Sequence, residues 1–303
     1  MHRRHFLASA ALAAAGVASA RPMRAPALAP TPIPARAPQL RKALKYAMIG
    51  PGSSVAEKFA VARECGFEGV EMDSPGGPPA DEVLAAAKST GLEVAGVVDS
   101  VHWGKTLGDP DPAVRAEGLN ALLQAIRDCK AYGGGSVLLV PAVVNERISY
   151  ADAYARSQEE VRKALPLAHE LDILISFENV WNNFLLSPLE AARYVDEFES
   201  DHARFHFDVG NIVNYGWPEH WIRTLAHRIS RLDIKEFSRA KRNDQGLWRG
   251  FDVEIGDGDC GWPAVMQALR DVGYSGWAAA EVGGGDHARL KDIASRMDRV
   301  FTL

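Results

Sequence analysis

The stretch ILISFENVWNNFLLSPLE, residues 173–190, decides how this chain is read. An apolar run, Ile173 to Phe177, stops at Glu178, and Asn179, Trp181, Asn182 and Asn183 follow at once. Ser187, Pro188 and Glu190 then spell S-P-x-E, a helix start with proline at the first helical position. A buried strand therefore hands over to a helix through a short polar link. The strand carries a carboxylate at its tip, where desolvation is costly.

The same alternation runs through the chain. Short apolar runs at 45–50, 68–73, 93–98, 136–141, 173–177, 203–208, 229–235 and 276–281 read as strands. Amphipathic stretches near 54–65, 80–90, 112–132, 150–171, 188–200, 217–227, 261–272 and 285–301 read as helices. Ser54-x-x-Glu57 and Ser187-x-x-Glu190 predict capping boxes, and Pro112 and Pro188 sit at first helical positions. Strict alternation demands parallel pairing with right-handed crossovers. Closure into an α/β (β/α)8 TIM barrel is the economical arrangement. An open doubly wound sheet is the alternative, but no G-x-G-x-x-G turn follows the first strand.

The N-terminus reads as something other than fold. Arg3-Arg4-His5-Phe6-Leu7 precedes the apolar run Ala8 to Val17, and Ala18-Ser19-Ala20 gives a small-x-small cleavage site. Residues 1–20 are read as a signal peptide of the twin-arginine type, which exports folded proteins to the periplasm or beyond. Residues 21–39, rich in proline and alanine, read as a linker, and residues 40–303 as a single barrel domain. No stable membrane anchor is expected after cleavage. A net charge of −5 argues against a nucleic-acid partner. Three widely spaced cysteines, Cys65, Cys129 and Cys260, indicate neither a disulfide framework nor a zinc ribbon.

In a barrel, chemistry belongs at the carboxyl ends of the strands. Those ends are weighted towards acids: Glu71 and Asp73, Asp99, Glu178, Asp208, Asp233 and Glu236, then Glu281. Acids converging on one mouth repel one another and are costly to desolvate. A divalent cation removes that conflict, and oxygen-only ligands suit Mg²⁺ or Mn²⁺ better than zinc.

Glu178-Asn-Val-Trp-Asn, Phe207-Asp208-Val-Gly-Asn211, the Leu232–Glu236 segment and Ala280-Glu281 resemble the sugar phosphate isomerase/epimerase superfamily. That superfamily has the xylose isomerase-like TIM barrel, and ketose 3-epimerases and L-ribulose-5-phosphate 3-epimerase-like proteins are the nearest branch. The resemblance runs from about residue 45 onwards. It implies one divalent metal held by a Glu after strand 5, an Asp after strand 6, a His on strand 7 and a Glu after strand 8. Glu178, Asp208 and Glu281 match. Where the family reads His-x-Lys-Asp, this chain has Asp233-Ile-Lys235-Glu236, so either Asp233 ligates in place of the imidazole or the site is reorganised. His206 is a substitute ligand to consider, although a barrel histidine is more often a hydrogen-bonded core residue.

The resemblance further implies that Glu178 and Glu281 act as the acid–base pair on a sugar or keto-sugar. Proton removal beside a carbonyl would give an enediolate, and return from the far side would invert the centre. His102, Trp103, Asn211, Lys235 and Arg239 are the expected substrate contacts. An unphosphorylated carbohydrate is favoured, because sugar phosphates are scarce outside the cytoplasm. A lyase or dehydratase on a keto-sugar or oxidised glycoside would use the same intermediate. A secreted sugar-binding barrel without catalysis is the reading from another class, and a homo-oligomer is compatible with all three.

Overall fold

Parallel strands pair only through crossovers, and closing the ring of such units removes every exposed sheet edge. The computed structural model describes residues 38–303 and shows that closure. The strands are β1 Leu40–Lys45, β2 Gly69–Ser74, β3 Glu93–Asp99, β4 Ser136–Leu139, β5 Leu174–Glu178, β6 Ala203–Asp208, β7 Ile229–Ile234 and β8 Gly276–Ala280. They pair in parallel in chain order, and β8 closes onto β1. The helices are α1 Val55–Glu64, α2 Ala80–Thr90, α3 Pro112–Tyr132, α4 Tyr150–Leu171 and α5 Pro188–Asp196. They continue as α6 Val209–Ile212, α7 Pro218–Leu225, α8 Arg239–Gln245, α9 Trp262–Val272 and α10 His287–Phe301. The expected (β/α)8 barrel is therefore the observed one, with α6 and α8 as short additions after β6 and β7. The expected signal peptide (1–20) lies outside the described residues, as does the linker (21–39) apart from Pro38 and Gln39. Among the described residues, no helix is long and apolar enough to cross a membrane.

The first strand is where pattern and structure part. Residues 45–50 read as strand, yet β1 ends at Lys45 and Tyr46–Met48 form a single 3-10 turn. Arg41 and Lys42 disguise the strand in sequence, and tertiary partners meet their charge. The Arg41 guanidinium lies 3.8 Å over the Trp277 ring and pairs with Glu93 at 2.6 Å. Lys42 reaches Asp298 on α10 at 2.6 Å.

Helix starts follow the local chemistry. Ser54 forms the full reciprocal box with Glu57. Ser187 forms half of one, accepting from the Glu190 amide. The Glu190 carboxylate turns instead to the Leu186 amide and the Tyr150 hydroxyl. That choice ties α5 to α4.

Two apolar regions hold the barrel. Outward-facing strand residues and inward helix faces form a continuous shell, in which Phe177 packs on Tyr194 and Phe198 with ring centroids 5.1 and 5.3 Å away. Inside the barrel, a separate apolar cluster of Ala43, Ala95, Trp277 and Ala279 plugs one end. Strand alternation then places Lys45 and Glu281, two residues beyond Ala43 and Ala279, on the same inward side. The other end of the interior is polar for that reason.

Phe177 is fully buried, and truncation leaves a void that Tyr194 and Phe198 cannot close. Phe177→Ala is expected to cost roughly 3–5 kcal/mol. The measurement is a lower urea midpoint at unchanged slope. A shift under about 1 kcal/mol would mean that β5 is not anchored through this contact.

Candidate functional site

The polar end of the barrel interior is built from strand tips. Lys45, Glu71, His206 and Asp233 form one group, and Glu178, Asp208 and Glu281 join Asp233 in another, with Lys235 beside them. One carboxylate oxygen from each of Glu178, Asp208, Asp233 and Glu281 lies within 4.8 Å of all the others. Glu71, His206 and Asp233 form a second group at the same spacing. Glu178, Asp208 and Asp233 are buried, while the Glu281 side chain keeps 33% of its surface.

The opening stretch positions much of this. Glu178 closes β5, and the amide of Asn179 pins the tip of β6 twice. It donates to Asp208 O at 2.8 Å and accepts from the Asp208 amide at 2.9 Å. Trp181 donates its indole N–H to Asn211 O at 2.8 Å, and Asn182 donates to Ala142 O at 2.8 Å beyond β4. One polar segment thus fastens the loops of β4 and β6 to the tip of β5. Asp208 is also the N-cap of α6, accepting from the Asn211 amide at 2.7 Å. That turn brings Asn211 back onto the site, where its Nδ2 donates to Asn179 O at 3.0 Å and approaches Glu178 Oε1 at 3.5 Å. Gly210 permits the turn: a Cβ there would meet the Lys235 backbone and side chain at 2.9 Å.

Five carboxylates share this space with two ammonium groups. Lys45 Nζ lies 2.5 Å from Glu71 Oε2 and donates to Asp233 Oδ2 at 2.9 Å. Lys235 Nζ lies 3.1 Å from Asp208 Oδ2 and 2.6 Å from Glu281 Oε2. The carboxyls respond unequally. Burial and the neighbouring Glu281, Asp233 and Asp208 push Glu178 well above the usual carboxylate range. Burial likewise pushes Asp208 up to about 8, against the pull of Lys235. Burial acts on Asp233 too, but the charges of His206 and Lys45 outweigh it and hold its carboxyl below the usual range. His206 Nε2 stands 3.1 Å from Asp233 Oδ1.

These residues fit a divalent cation. Asp208 Oδ2, Asp233 Oδ1 and Glu281 Oε2 are buried with ion-pair contacts to Lys235, Lys45 and His206 but no aligned hydrogen bond, and neither ring nitrogen of His206 has one among the described residues. A buried polar atom left so is costly unless something satisfies it. Four converging carboxylates are a hard-cation donor set, and the two lysines leave much of their charge unmet.

A cavity of about 1010 Å³ opens over the cluster. Of the expected substrate contacts, His102, Trp103, Asn211 and Lys235 line it, together with Glu178 and Glu281. Burial and the nearby Lys45 push His102 down to about 4, so its ring is neutral at pH 7. Its Nδ1 accepts from the Val140 amide at 3.2 Å, which leaves the ring proton on Nε2. The structure does not bring Arg239 to this cavity. Its guanidinium donates to Val213 O at 3.0 Å and Gly216 O at 2.9 Å, holding the link between α6 and α7.

Two buried groups carry more of the site than their sequence positions suggested. Lys45 hides in a strand that the hydrophobic pattern misplaced, and its only signal was a lysine at a strand tip. Glu236 faces away from the cluster. Its carboxylate accepts from the amides of Phe237, Gly256 and Cys260 and from the Trp262 indole N–H, at 2.7–3.2 Å. It clamps the loop after β7, which brings Asp252, Val253 and Glu254 to the cavity wall.

Among known proteins, the chain is 26% identical over 185 residues to a 2-epi-5-epi-valiolone 7-phosphate 2-epimerase from an Actinoplanes species. That match spans 58% of this chain and 64% of the relative's length. It is 22% identical over 268 residues to an L-ribulose-5-phosphate 3-epimerase from Escherichia coli, covering 81% of this chain and 91% of that protein. Among solved structures, L-ribulose 3-epimerase superposes with a TM-score of 0.72 at 18% identity, covering 87% of this chain and 95% of that one. A 3-keto-D-glucoside 4-epimerase from E. coli superposes with a TM-score of 0.72 at 17% identity, covering 88% and 100%. With residues 59–299 matching its family pattern, the chain belongs to the xylose isomerase-like TIM barrel family.

Proposed function

We propose that the protein is a divalent-metal-dependent epimerase or isomerase acting on a sugar or keto-sugar. The observation that carries this reading is the pair Glu178 and Glu281. They reach one cavity from strand tips three places apart in the ring, across a cluster of carboxylates suited to a cation. The epimerase names of the relatives agree with it. Glu178, Asp208, Asp233 and Glu281 would hold the ion, with Mn²⁺ or Mg²⁺ the fitting choices for an all-oxygen set. Bound there, a divalent cation supplies Lewis-acid polarisation of a substrate carbonyl and acidifies the neighbouring C–H.

The chain's own residues handle the proton. One glutamate removes it from the carbon beside the carbonyl, and the electron pair passes into an enediolate of the substrate. The other glutamate delivers a proton from the opposite face, so the centre is inverted and mass is conserved. Return to the adjacent carbon would interconvert aldose and ketose instead. Burial and three neighbouring acids raise Glu178, which suits a group that must both take up and give back a proton. Lys235, beside both Asp208 and Glu281, fixes the position of the second glutamate. His102, neutral with its proton on Nε2, offers a hydrogen-bond donor on the cavity wall. The signal-peptide reading places this chemistry outside the cytoplasm, and that part rests on sequence alone.

Incubation with ketoses in deuterated water should incorporate one deuterium beside the carbonyl at constant substrate mass otherwise. Glu281→Gln is expected to lower turnover by a factor on the order of 10²–10⁴ even at saturating metal. Near-normal exchange in that variant would sink the two-glutamate mechanism, and release of water or a fragment would convert the assignment to a lyase.

Metal content gives an independent check on the ligand set. The mature protein should carry one divalent ion, and Asp233→Ala should weaken its binding on the order of tenfold or more. An unchanged affinity would remove Asp233 from the set and bring His206, its neighbour at 3.1 Å, into it.

A further inference from the structure

The cavity is larger and differently lined than a free sugar requires, which bears on the substrate of the site proposed above. Pockets of roughly 300–1,000 Å³ hold drug-sized ligands, and this one, about 1010 Å³, stands at the upper end of that range. Its outer part is aromatic. Trp103 and Trp248 are 53% and 66% exposed, yet both line the cavity. They stand on the loops after β3 and β7. Trp248 does not lie loose on the surface. It packs at 4.8 Å on Trp181, which in turn meets Phe251 at 4.9 Å and Phe237 at 5.8 Å. An indole held exposed at the cavity wall by such packing offers a flat apolar face to a ring of a ligand.

The cavity offers little to an anion. Its cations among the described residues are Lys45, Lys235 and Arg289, and each is already engaged. The two lysines pair with acids of the cluster, and Arg289 Nη1 donates to Glu254 at 2.6 Å. The basic loop residue Arg242 is also spent, donating to Asn214 O at 2.8 Å. Further acids, Asp73, Asp99 and Asp252, add to the lining. A phosphate would meet net negative charge and no free guanidinium or ammonium.

We infer that the substrate is an uncharged keto-sugar glycoside: its sugar ring sits over the carboxylate cluster, and the group attached through the glycosidic bond stacks on the Trp248 indole, with Trp103 a further apolar face of the same cavity. This rests on the epimerase reading for the sugar subsite only. The rim itself is a binding site of its own, and binding can be measured without turnover.

Calorimetry on the metal-loaded protein tests it with three probes: phenyl 3-keto-β-D-glucoside, D-fructose and L-ribulose 5-phosphate. The phenyl glycoside should bind about tenfold or more tightly than D-fructose, and the phosphate no more tightly than D-fructose. Trp248→Ala should bring the glycoside-to-fructose ratio close to one, and Trp248→Phe should restore most of it. Both substitutions are at an exposed side chain, so folding is expected to be kept, and an unchanged melting temperature checks that. Tightest binding by the phosphate, or a ratio indifferent to Trp248→Ala, would overturn the inference. Absence of deuterium exchange with the glycoside bound and the ratio still sensitive to Trp248 would overturn the epimerase reading and leave the subsite standing.

Discussion

The structure turns on the repulsion among carboxylates that share the mouth of one barrel. Glu71, Glu178, Asp208, Asp233 and Glu281 all project into a space from which water is largely excluded. Burial and the neighbouring acids push Glu178 and Asp208 towards their neutral forms there. A barrel tolerates such a cluster because closed parallel strands hold the tips rigidly. The apolar plug of Ala43, Ala95, Trp277 and Ala279 carries the packing further down the interior. Stability and chemistry are thereby separated along the barrel axis. The plug and outer shell supply one, and the strand tips supply the other.

The neighbours of the cluster are arranged to keep it from flying apart. Asn179 stitches β5 to β6, Asn211 folds back through the capped turn at Asp208, and Glu236 ties down the loop that walls the cavity. Asn179 and Glu236 do this from outside the cavity lining. They fix where the carboxylates point, and a group acting on a C–H bond must be held within a fraction of an ångström.

Much of the fold was readable because parallel, doubly covered strands write themselves as continuous apolar runs between capped helices. The segment from Ile173 to Glu190 shows this plainly, since strand, polar link and cap fall where their residue types demand. β1 was misplaced because Arg41 and Lys42 break the apolar pattern, and their partners Trp277, Glu93 and Asp298 lie far away in sequence. The site divides in the same manner. Glu178, Asp208 and Glu281 announce themselves as acids at strand tips, whereas Lys45 becomes a site residue only once β1 and β7 are brought together. Arg239 shows the converse: its sequence position points to the substrate, but two carbonyls outside the cavity, those of Val213 and Gly216, take its guanidinium.

Asp233 on β7 meets the same electrostatics. Its carboxylate adds a negative charge where the site can least accommodate one. Lys45 from β1 and His206 from β6 converge on that carboxylate, and their charges hold Asp233 below the usual range despite burial. The acids are thus sorted by their surroundings: Asp233 is kept ionised, while Glu178 and Asp208 are pushed towards their neutral forms. Asp233 keeps its charge through Lys45 and His206, whereas Glu178 and Asp208 need a cation opposite to keep theirs. Lys45 and Asp233, brought together from β1 and β7, therefore act as one charge unit at the barrel mouth.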